Sequence, residues 1–142
     1  MPSCPRVSET SEVEVTVRLL LVEDLVQIQS VLLDLRATIG DFKLVTTQST
    51  EAEANLWIDE NPGGWDLAII DLILEQGTGL SVVARARNRP PTSKVVVFSD
   101  YATAGIRKHC LKLGADAAFQ KGEDLHAFLA YCSALAHPQG AS

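Results

Sequence analysis

The stretch from Trp65 to Leu80 reads WDLAIIDLILEQGTGL and combines an apolar run with one carboxylate in its middle, Asp71. A run of this length and composition is typical of a buried β-strand. An isolated carboxylate is costly to desolvate inside such a strand. Asp71 is therefore either neutralised, or it lies at the mouth of the strand, where water, a metal or a substrate reaches it.

Short runs rich in β-branched residues recur along the chain, and each is followed by a longer segment with helical periodicity. The runs are VTVRLLLV, FKLVTT, DLAIID, KVVVF and ADAAF. Gly40 and Gly114 follow two of the helical segments, at the place where a glycine commonly ends a helix. The alternation predicts an α/β fold with a doubly wound, five-stranded parallel sheet flanked by five helices. Two apolar stripes at helical spacing support it: Ile28, Val31, Leu32, Leu35 and Ile39, and Leu125, Phe128, Leu129, Cys132 and Leu135.

A single domain accounts for most of the 142 residues. A domain of this length buries enough surface to be stable without disulfide bonds or a structural metal. We expect it to cover residues 15–136. Residues 1–14 lack periodicity and are rich in Pro, Ser, Thr and Glu, which predicts a flexible lead-in. Residues 137–142 predict a short C-terminal tail.

Charge and cysteine usage argue against several classes of protein. The formal net charge of −6 disfavours binding to nucleic acid, because phosphate contacts draw on clustered Lys and Arg. Cys4, Cys110 and Cys132 show no CxxC spacing, so neither a disulfide framework nor a zinc knuckle is expected. The apolar runs are too short to cross a bilayer, and the N-terminus has no signal-peptide pattern. We therefore expect a cytoplasmic protein with no nucleic-acid or membrane partner.

Polar side chains follow most of the predicted strands. The first strand ends in Glu23 and Asp24, the third in Asp71 and the fourth in Ser99, while Lys121 follows the fifth. Taken singly, each has an ordinary structural explanation. The acidic pair could cap a helix, and Asp71 could be a turn residue. Ser99 could be a loop hydroxyl, and Lys121 a solvated surface charge. Ligands of open parallel sheets bind outside the carboxyl ends of the strands, so the ordered set instead predicts one shared site.

Clustered carboxylates repel one another unless a cation lies among them. Their oxygen ligands suit magnesium or manganese better than zinc. Magnesium often shares its shell with phosphate oxygens, which indicates phosphoryl transfer. In that reaction one carboxylate would be the nucleophile, and Ser99 and Lys121 would hold the phosphoryl oxygens.

Residues 17–136 closely resemble the response-regulator receiver domain, the phosphoacceptor half of two-component signalling. The resemblance rests on LLLVED, on IIDLILEQGTGL with a Gly eight residues after its Asp, on VVVFSD and on LGADAAFQK. It implies a flavodoxin-like (βα)5 fold with strand order 2-1-3-4-5. It also implies a role for each site residue. Asp71 would accept the phosphoryl group, Ser99 would hydrogen-bond it and Lys121 would form an ion pair with it. Mg²⁺ would be bound directly by Asp24, Asp71 and the backbone carbonyl of Ile73, and through water by Glu23.

The resemblance implies that the protein is a single-domain phosphoacceptor and not an enzyme in the usual sense. Its phosphoryl group would come from a histidine kinase or a phosphotransfer protein, and the modified domain would act on a downstream protein. The resemblance also allows a homodimer through the fourth and fifth helices. A receiver fold that serves only as a phosphorylation-independent docking module stays open as an alternative. Ala118 and Asp100 favour it, while the retained Asp24, Asp71, Ser99 and Lys121 argue against it.

Several positions depart from the family pattern. Ala118 stands where an aromatic is usual, and Phe119 is expected on the opposite face of the strand. Gly122 replaces a common Pro after the Lys, so a cis peptide is not expected there. Glu75 replaces a common Pro in the loop after Asp71, which predicts a looser backbone.

Two neighbours of the Ser99 position are also unusual. The residue after the hydroxyl is normally small, and here it is Asp100, followed by Tyr101. The Asp100 carboxylate should oppose a phosphoryl dianion, while Tyr101 and Ile73 could shield that group from water. We therefore predict slow loss of phosphate, and faster loss in Tyr101→Ala.

Overall fold

The computed structural model describes residues 16–137, so the predicted lead-in and residues 138–142 of the predicted tail lie outside the described residues. Five strands alternate with five helices. The strands are β1 (Arg18–Val22), β2 (Lys43–Gln48), β3 (Leu67–Ile70), β4 (Lys94–Ser99) and β5 (Ala117–Gln120). The helices are α1 (Ile28–Ile39), α2 (Glu51–Glu60), α3 (Gly79–Arg85), α4 (Ala104–Leu113) and α5 (Leu125–Ala136).

The strands form one parallel sheet in the order β2-β1-β3-β4-β5, which confirms the predicted architecture. A strand covered by helices on both faces has no need of polar alternation, and all four residues of β3 are accordingly buried. Because the strands are parallel, their carboxyl ends all lie at the same edge of the sheet. Gly40 and Gly114 end α1 and α4, as their positions predicted.

The helices cover the sheet in two layers. One layer is α1 with α5, whose apolar stripes pack against one face of the sheet through buried residues such as Leu35 and Phe128. The other layer is α2, α3 and α4, which pack on the opposite face through residues such as Ile58, Val82 and Cys110. Both predicted stripes therefore face the core.

Alternation along β5 places its two central residues on opposite faces, as predicted. Phe119 packs toward α5, with its ring centroid 6.0 Å from that of Phe128. Ala118 packs into the layer formed by α2, α3 and α4. The peptide bonds of the described residues are all trans, including the one between Lys121 and Gly122. Within residues 16–137, no helix has the length and apolar character needed to span a membrane.

Candidate functional site

The carboxyl edge of the sheet brings the predicted site residues together. The carboxylate oxygens of Glu23, Asp24 and Asp71 lie within 4.8 Å of one another. The ammonium nitrogen of Lys121 lies 2.7 Å from Oε2 of Glu23 and 3.4 Å from Oδ2 of Asp71. Ser99 is the last residue of β4 and is fully buried beside Asp71.

The backbone of these residues continues the sheet ladder. The amide of Asp71 donates to the carbonyl of Val22 at 2.9 Å, and the amide of Lys121 donates to the carbonyl of Ser99 at 3.2 Å. The side chains therefore project from hydrogen-bonded backbone and not from free loops. Sites built on such rigid elements hold their geometry more closely than sites on loops.

Burial shapes the ionisation of the two inner carboxylates. Glu23 and Asp71 are 1% and 5% exposed. Burial, with a smaller contribution from Asp71, raises the pKa of Glu23 to about 8. Burial alone would also raise the pKa of Asp71, but hydrogen bonds with Glu23 and Ser99, together with the Lys121 charge, outweigh it and lower that pKa. The lowered pKa keeps Asp71 ionised although it is buried.

The donor set suits a hard divalent cation. Three carboxylates converge within reach of a single ion, two of them are shielded from water, and the side-chain ligands offered are oxygens. Such a set fits Mg²⁺ or Mn²⁺ and does not resemble a zinc site. The side chains of Glu23, Asp24 and Asp71 could therefore hold a metal. Ile73 stands two residues after Asp71, and its amide donates to Oδ1 of Asp71 at 3.3 Å.

Comparison with known proteins decides the family. The sequence model of the response regulator receiver domain matches residues 19–132. The chain belongs to the response regulator receiver family.

The receiver is also similar to two photosynthetic apparatus regulatory proteins called RegA. It is 35% identical to that of Cereibacter sphaeroides over 101 residues, which is 68% of this chain and 53% of the relative. It is 37% identical to that of Rhodobacter capsulatus over 75 residues, which is 50% of this chain and 41% of the relative. The receiver thus spans about half the length of the curated relatives it matches.

Solved structures of other receivers share the fold. A CheY-like receiver domain protein from Methanospirillum hungatei superposes with a TM-score of 0.70 at 23% identity, covering 89% of this chain and 98% of that chain. A chain of the CheX-CheY-BeF3-Mg complex from Borrelia burgdorferi superposes with a TM-score of 0.71 at 18% identity, covering 84% and 88%. At these identities the likeness shows the fold alone.

The loop of the receiver that follows Asp71 depends on a glycine. Gly79, the Gly eight residues after the Asp, begins α3, and a Cβ atom there would lie 2.0 Å from the backbone oxygen of Asp71. The amide of Gly79 donates to the carbonyl of Leu72 at 2.9 Å. The helix therefore starts directly against the backbone of Asp71, which only a residue without a side chain allows.

Glu75 fixes this loop through hydrogen bonds. The sequence had predicted a looser backbone here, because Glu75 replaces a Pro that is common in the family. Its amide donates to the carbonyl of Ser49 at 3.0 Å, a bond that Pro could not make. Its carboxylate accepts a hydrogen bond from the amide of Leu25 at 3.2 Å. A second carboxylate, that of Glu51 in α2, accepts from the amide of Thr78 at 2.9 Å. The loop is thus bound to the two neighbouring loops and to α2.

Sequence reasoning missed Gln27, which the structure places against Lys121. Gln27 immediately precedes α1, and its side-chain oxygen accepts a hydrogen bond from the ammonium of Lys121. The only signal in the sequence was its position three residues after Asp24. Nothing local to Gln27 indicates a partner 94 residues further along the chain.

Several apolar residues that are close in sequence to the site residues are exposed. Ile73 is 49% exposed and Tyr101 is 60% exposed, and the amide of Tyr101 donates to the Ser99 hydroxyl oxygen at 3.2 Å. Leu25 and Val26, in the loop between β1 and α1, are 63% and 90% exposed. Asp100 is exposed at the same edge.

Proposed function

We propose that this receiver accepts a phosphoryl group on Asp71 in a magnesium-dependent reaction, and that the modification switches a protein-binding surface. One observation supports it most directly. A buried, ionised carboxylate lies beside a lysine ammonium, at 3.4 Å, inside a cluster of acids that fits a divalent cation. Positioning and electrostatic stabilisation are what phosphoryl transfer requires of a protein.

The proposed donor is a phosphohistidine on a histidine kinase or a phosphotransfer protein. A carboxylate oxygen of Asp71 attacks the phosphorus, the phosphorus–nitrogen bond breaks, and the imidazole leaves with the bonding electrons. The product is an acyl phosphate on Asp71. The Ser99 hydroxyl donates a hydrogen bond to a phosphoryl oxygen, and the Lys121 ammonium offsets the charge of another.

Glu23, Asp24, Asp71 and the backbone carbonyl of Ile73 would hold the metal, Mg²⁺ or in its place Mn²⁺. When bound, the ion offsets negative charge at the reacting phosphoryl group. We propose an indirect contact for Glu23, through water. Its Oε2 atom is already occupied by Lys121, which supports that assignment.

The energetics require more than one contact to the phosphoryl group. Phosphorylation adds close to two negative charges. Taking a two-state equilibrium from 1:99 to 99:1 needs about 5.5 kcal/mol of differential binding. A hydrogen bond to a charged group contributes about 1.5–3 kcal/mol. Ser99 and Lys121 would therefore have to act together with the metal, and both lie on backbone that can carry their movement into the loops before α4 and α5.

The proposed receiver is a phosphoacceptor and not a turnover enzyme, and its output is a downstream protein target. We place it in the cytoplasm, because Cys110 and Cys132 are free thiols, which suits a reducing compartment. A homodimer through α4 and α5 is compatible with this role. The structure adds no support for the docking-module alternative beyond the residues Ala118 and Asp100. That alternative predicts partner binding that is the same in wild type and in Asp71→Asn.

Beryllofluoride, a mimic of the phosphoryl group, tests the proposal in the presence of Mg²⁺. Amide NMR should show saturable shifts at Ser99 and Lys121 in the wild type, and none in Asp71→Asn. An unresponsive wild type would refute phosphoacceptor function. An equal response in Asp71→Asn would show that another residue receives the group.

A further inference from the structure

Lys121 has three oxygen acceptors for its three N–H donors. Two are the carboxylates of Glu23 and Asp71, at 2.7 Å and 3.4 Å. The third is the side-chain carbonyl of Gln27. An ammonium group has three donors and no acceptor, so this set accounts for its whole hydrogen-bonding capacity.

Gln27 is itself fixed in place by a residue of the acidic cluster. Its backbone amide donates to the side-chain oxygen Oδ1 of Asp24 at 3.1 Å and to the Asp24 carbonyl at 3.2 Å. Glu23 closes the loop of contacts, because its Oε1 atom accepts from the amide of Asp24 at 3.3 Å. Gln27 therefore links the start of α1 to Lys121, and through Asp24 to the acids.

From this arrangement we propose that Gln27 is a positioning residue for phosphoryl transfer. It holds the Lys121 ammonium over the acidic cluster, so that the ammonium exchanges only its long contact with Asp71 for a phosphoryl oxygen. The proposal deepens the function proposed above and rests on it for its kinetic consequence. The hold on Lys121 exists whether or not Asp71 is ever modified.

The chemistry of the side chain explains why an amide suits this position. Glu23 and Asp71 already contact the Lys121 ammonium, and a further carboxylate in place of Gln27 would add repulsion toward an incoming phosphoryl dianion. A neutral amide oxygen satisfies the remaining N–H donor without adding charge. It orients the ammonium and leaves the site's net charge unchanged.

Three variants separate the positioning role from a merely structural one. Gln27→Met keeps the length of the side chain and removes the acceptor. Gln27→Glu keeps an acceptor and adds a charge. Gln29→Met is the matched control, because Gln29 is exposed on α1, two residues further on. Circular dichroism and urea unfolding establish that each variant folds.

The first readout is the side-chain ammonium signal of Lys121 in ¹⁵N-edited NMR, recorded without donor or metal. We expect a slowly exchanging signal in the wild type, in Gln29→Met and in Gln27→Glu, and its loss or broadening in Gln27→Met. A signal unchanged in folded Gln27→Met would overturn the proposal, and this result does not depend on phosphorylation. If Gln27→Met fails to fold, loss of the signal in folded Gln27→Ala supports the proposal, and its persistence overturns it.

The second readout is the affinity for beryllofluoride with Mg²⁺. We expect Gln27→Met to bind about 10- to 100-fold more weakly than wild type, the effect of losing one hydrogen bond to a charged group. Gln29→Met should match the wild type. Equal affinity in Gln27→Met and wild type would overturn the positioning role. A wild type that does not bind at all would instead refute the proposed function, and the ammonium signal would still decide whether Gln27 holds Lys121.

Discussion

The ammonium nitrogen of Lys121 lies 2.7 Å from Oε2 of Glu23, a residue 98 positions earlier in the chain. In the sheet, β1 and β5 are separated by β3 and β4, so this contact spans four strands at their carboxyl ends. Glu23 is 1% exposed and the Lys121 side chain 12%. Removing one partner of a buried pair costs about 3–5 kcal/mol, which makes this contact a strong constraint on the site.

Tyr101 should slow the loss of a phosphoryl group from Asp71. Tyr101 is 60% exposed, and its backbone amide donates to the hydroxyl oxygen of Ser99. Truncation in Tyr101→Ala removes bulk that would block water, so we expect dephosphorylation to become several-fold faster. The decay of the phosphorylated protein, followed by mass spectrometry, measures this. Leu111→Ala is the control, because Leu111 is a similarly exposed apolar residue on α4. Equal lifetimes in wild type and Tyr101→Ala would contradict the shielding role.

Gly79 should tolerate no side chain. A Cβ atom would lie 2.0 Å from the oxygen and 2.8 Å from the carbonyl carbon of Asp71, and backbone cannot yield as a flexible side chain can. We expect Gly79→Ala to lower the free energy of unfolding by about 1–3 kcal/mol or more. Gly105→Ala is the matched control, because a Cβ there meets nothing within 4 Å and Ala favours the helix. Urea unfolding of both variants checks this, and a stable Gly79→Ala would show that α3 does not press on Asp71.

Arg89 should stabilise the edge of the sheet opposite the site. Its guanidinium is mostly buried and donates to the carbonyls of Ser93, Ala86 and Gly114 and to the carboxylate of Asp116 at 2.7 Å. Arg89→Ala leaves these acceptors without a hydrogen-bond donor, so we expect the free energy of unfolding to fall by about 3 kcal/mol.

The control for Arg89 is Arg85→Ala. Arg85 pairs with Asp59 at 3.3 Å, and both side chains are about half exposed. Such surface pairs contribute less than about 1 kcal/mol. Similar losses in the two variants, measured by urea unfolding, would mean that the buried contacts of Arg89 do not matter.

The pair of Arg18 with Asp66 should make stability depend on acid pH. Partial burial alone would raise the pKa of Asp66, but the hydrogen bonds and charge of Arg18 outweigh it and lower that pKa. A group whose pKa is lower in the folded state stabilises the protein above its unfolded pKa and loses this effect as pH falls through its folded pKa.

We therefore expect Asp66→Asn to be less stable than wild type at pH 7, and the difference to shrink below about pH 4. Urea unfolding at several pH values measures it. Asp59→Asn is the comparison, because its exposed pair with Arg85 should show little effect. A difference between wild type and Asp66→Asn that persists unchanged at low pH would contradict the account.

Most of the fold was predictable from local patterns. The apolar runs define the strands, and the stripe that contains Leu35 defines a helix face, because burial against a sheet selects residues at these periods. The grouping of Asp71 with Ser99 and Lys121 followed from the rule that parallel strands end at one edge. The separation of Ala118 and Phe119 onto opposite faces followed from the two-residue period of a strand.

Contacts between side chains on distant elements were not predictable in this way. Gln27 and Lys121 carry no local sign that they meet, because their contact depends on the twist of the sheet and on where α1 begins. Glu75 misled the sequence reasoning for a related reason. Replacing Pro does free a backbone in isolation, but here it also supplies an amide that bonds to Ser49 across the loops.

The central claim is that Asp71 receives a phosphoryl group. Intact-mass and peptide mass spectrometry after incubation with acetyl phosphate and Mg²⁺ tests it most directly. We predict one phosphoryl adduct, located on Asp71, which is lost in Asp71→Asn or when the metal is chelated, and kept in Asp59→Asn. No adduct on the wild type, or the same adduct on Asp71→Asn, would contradict the account.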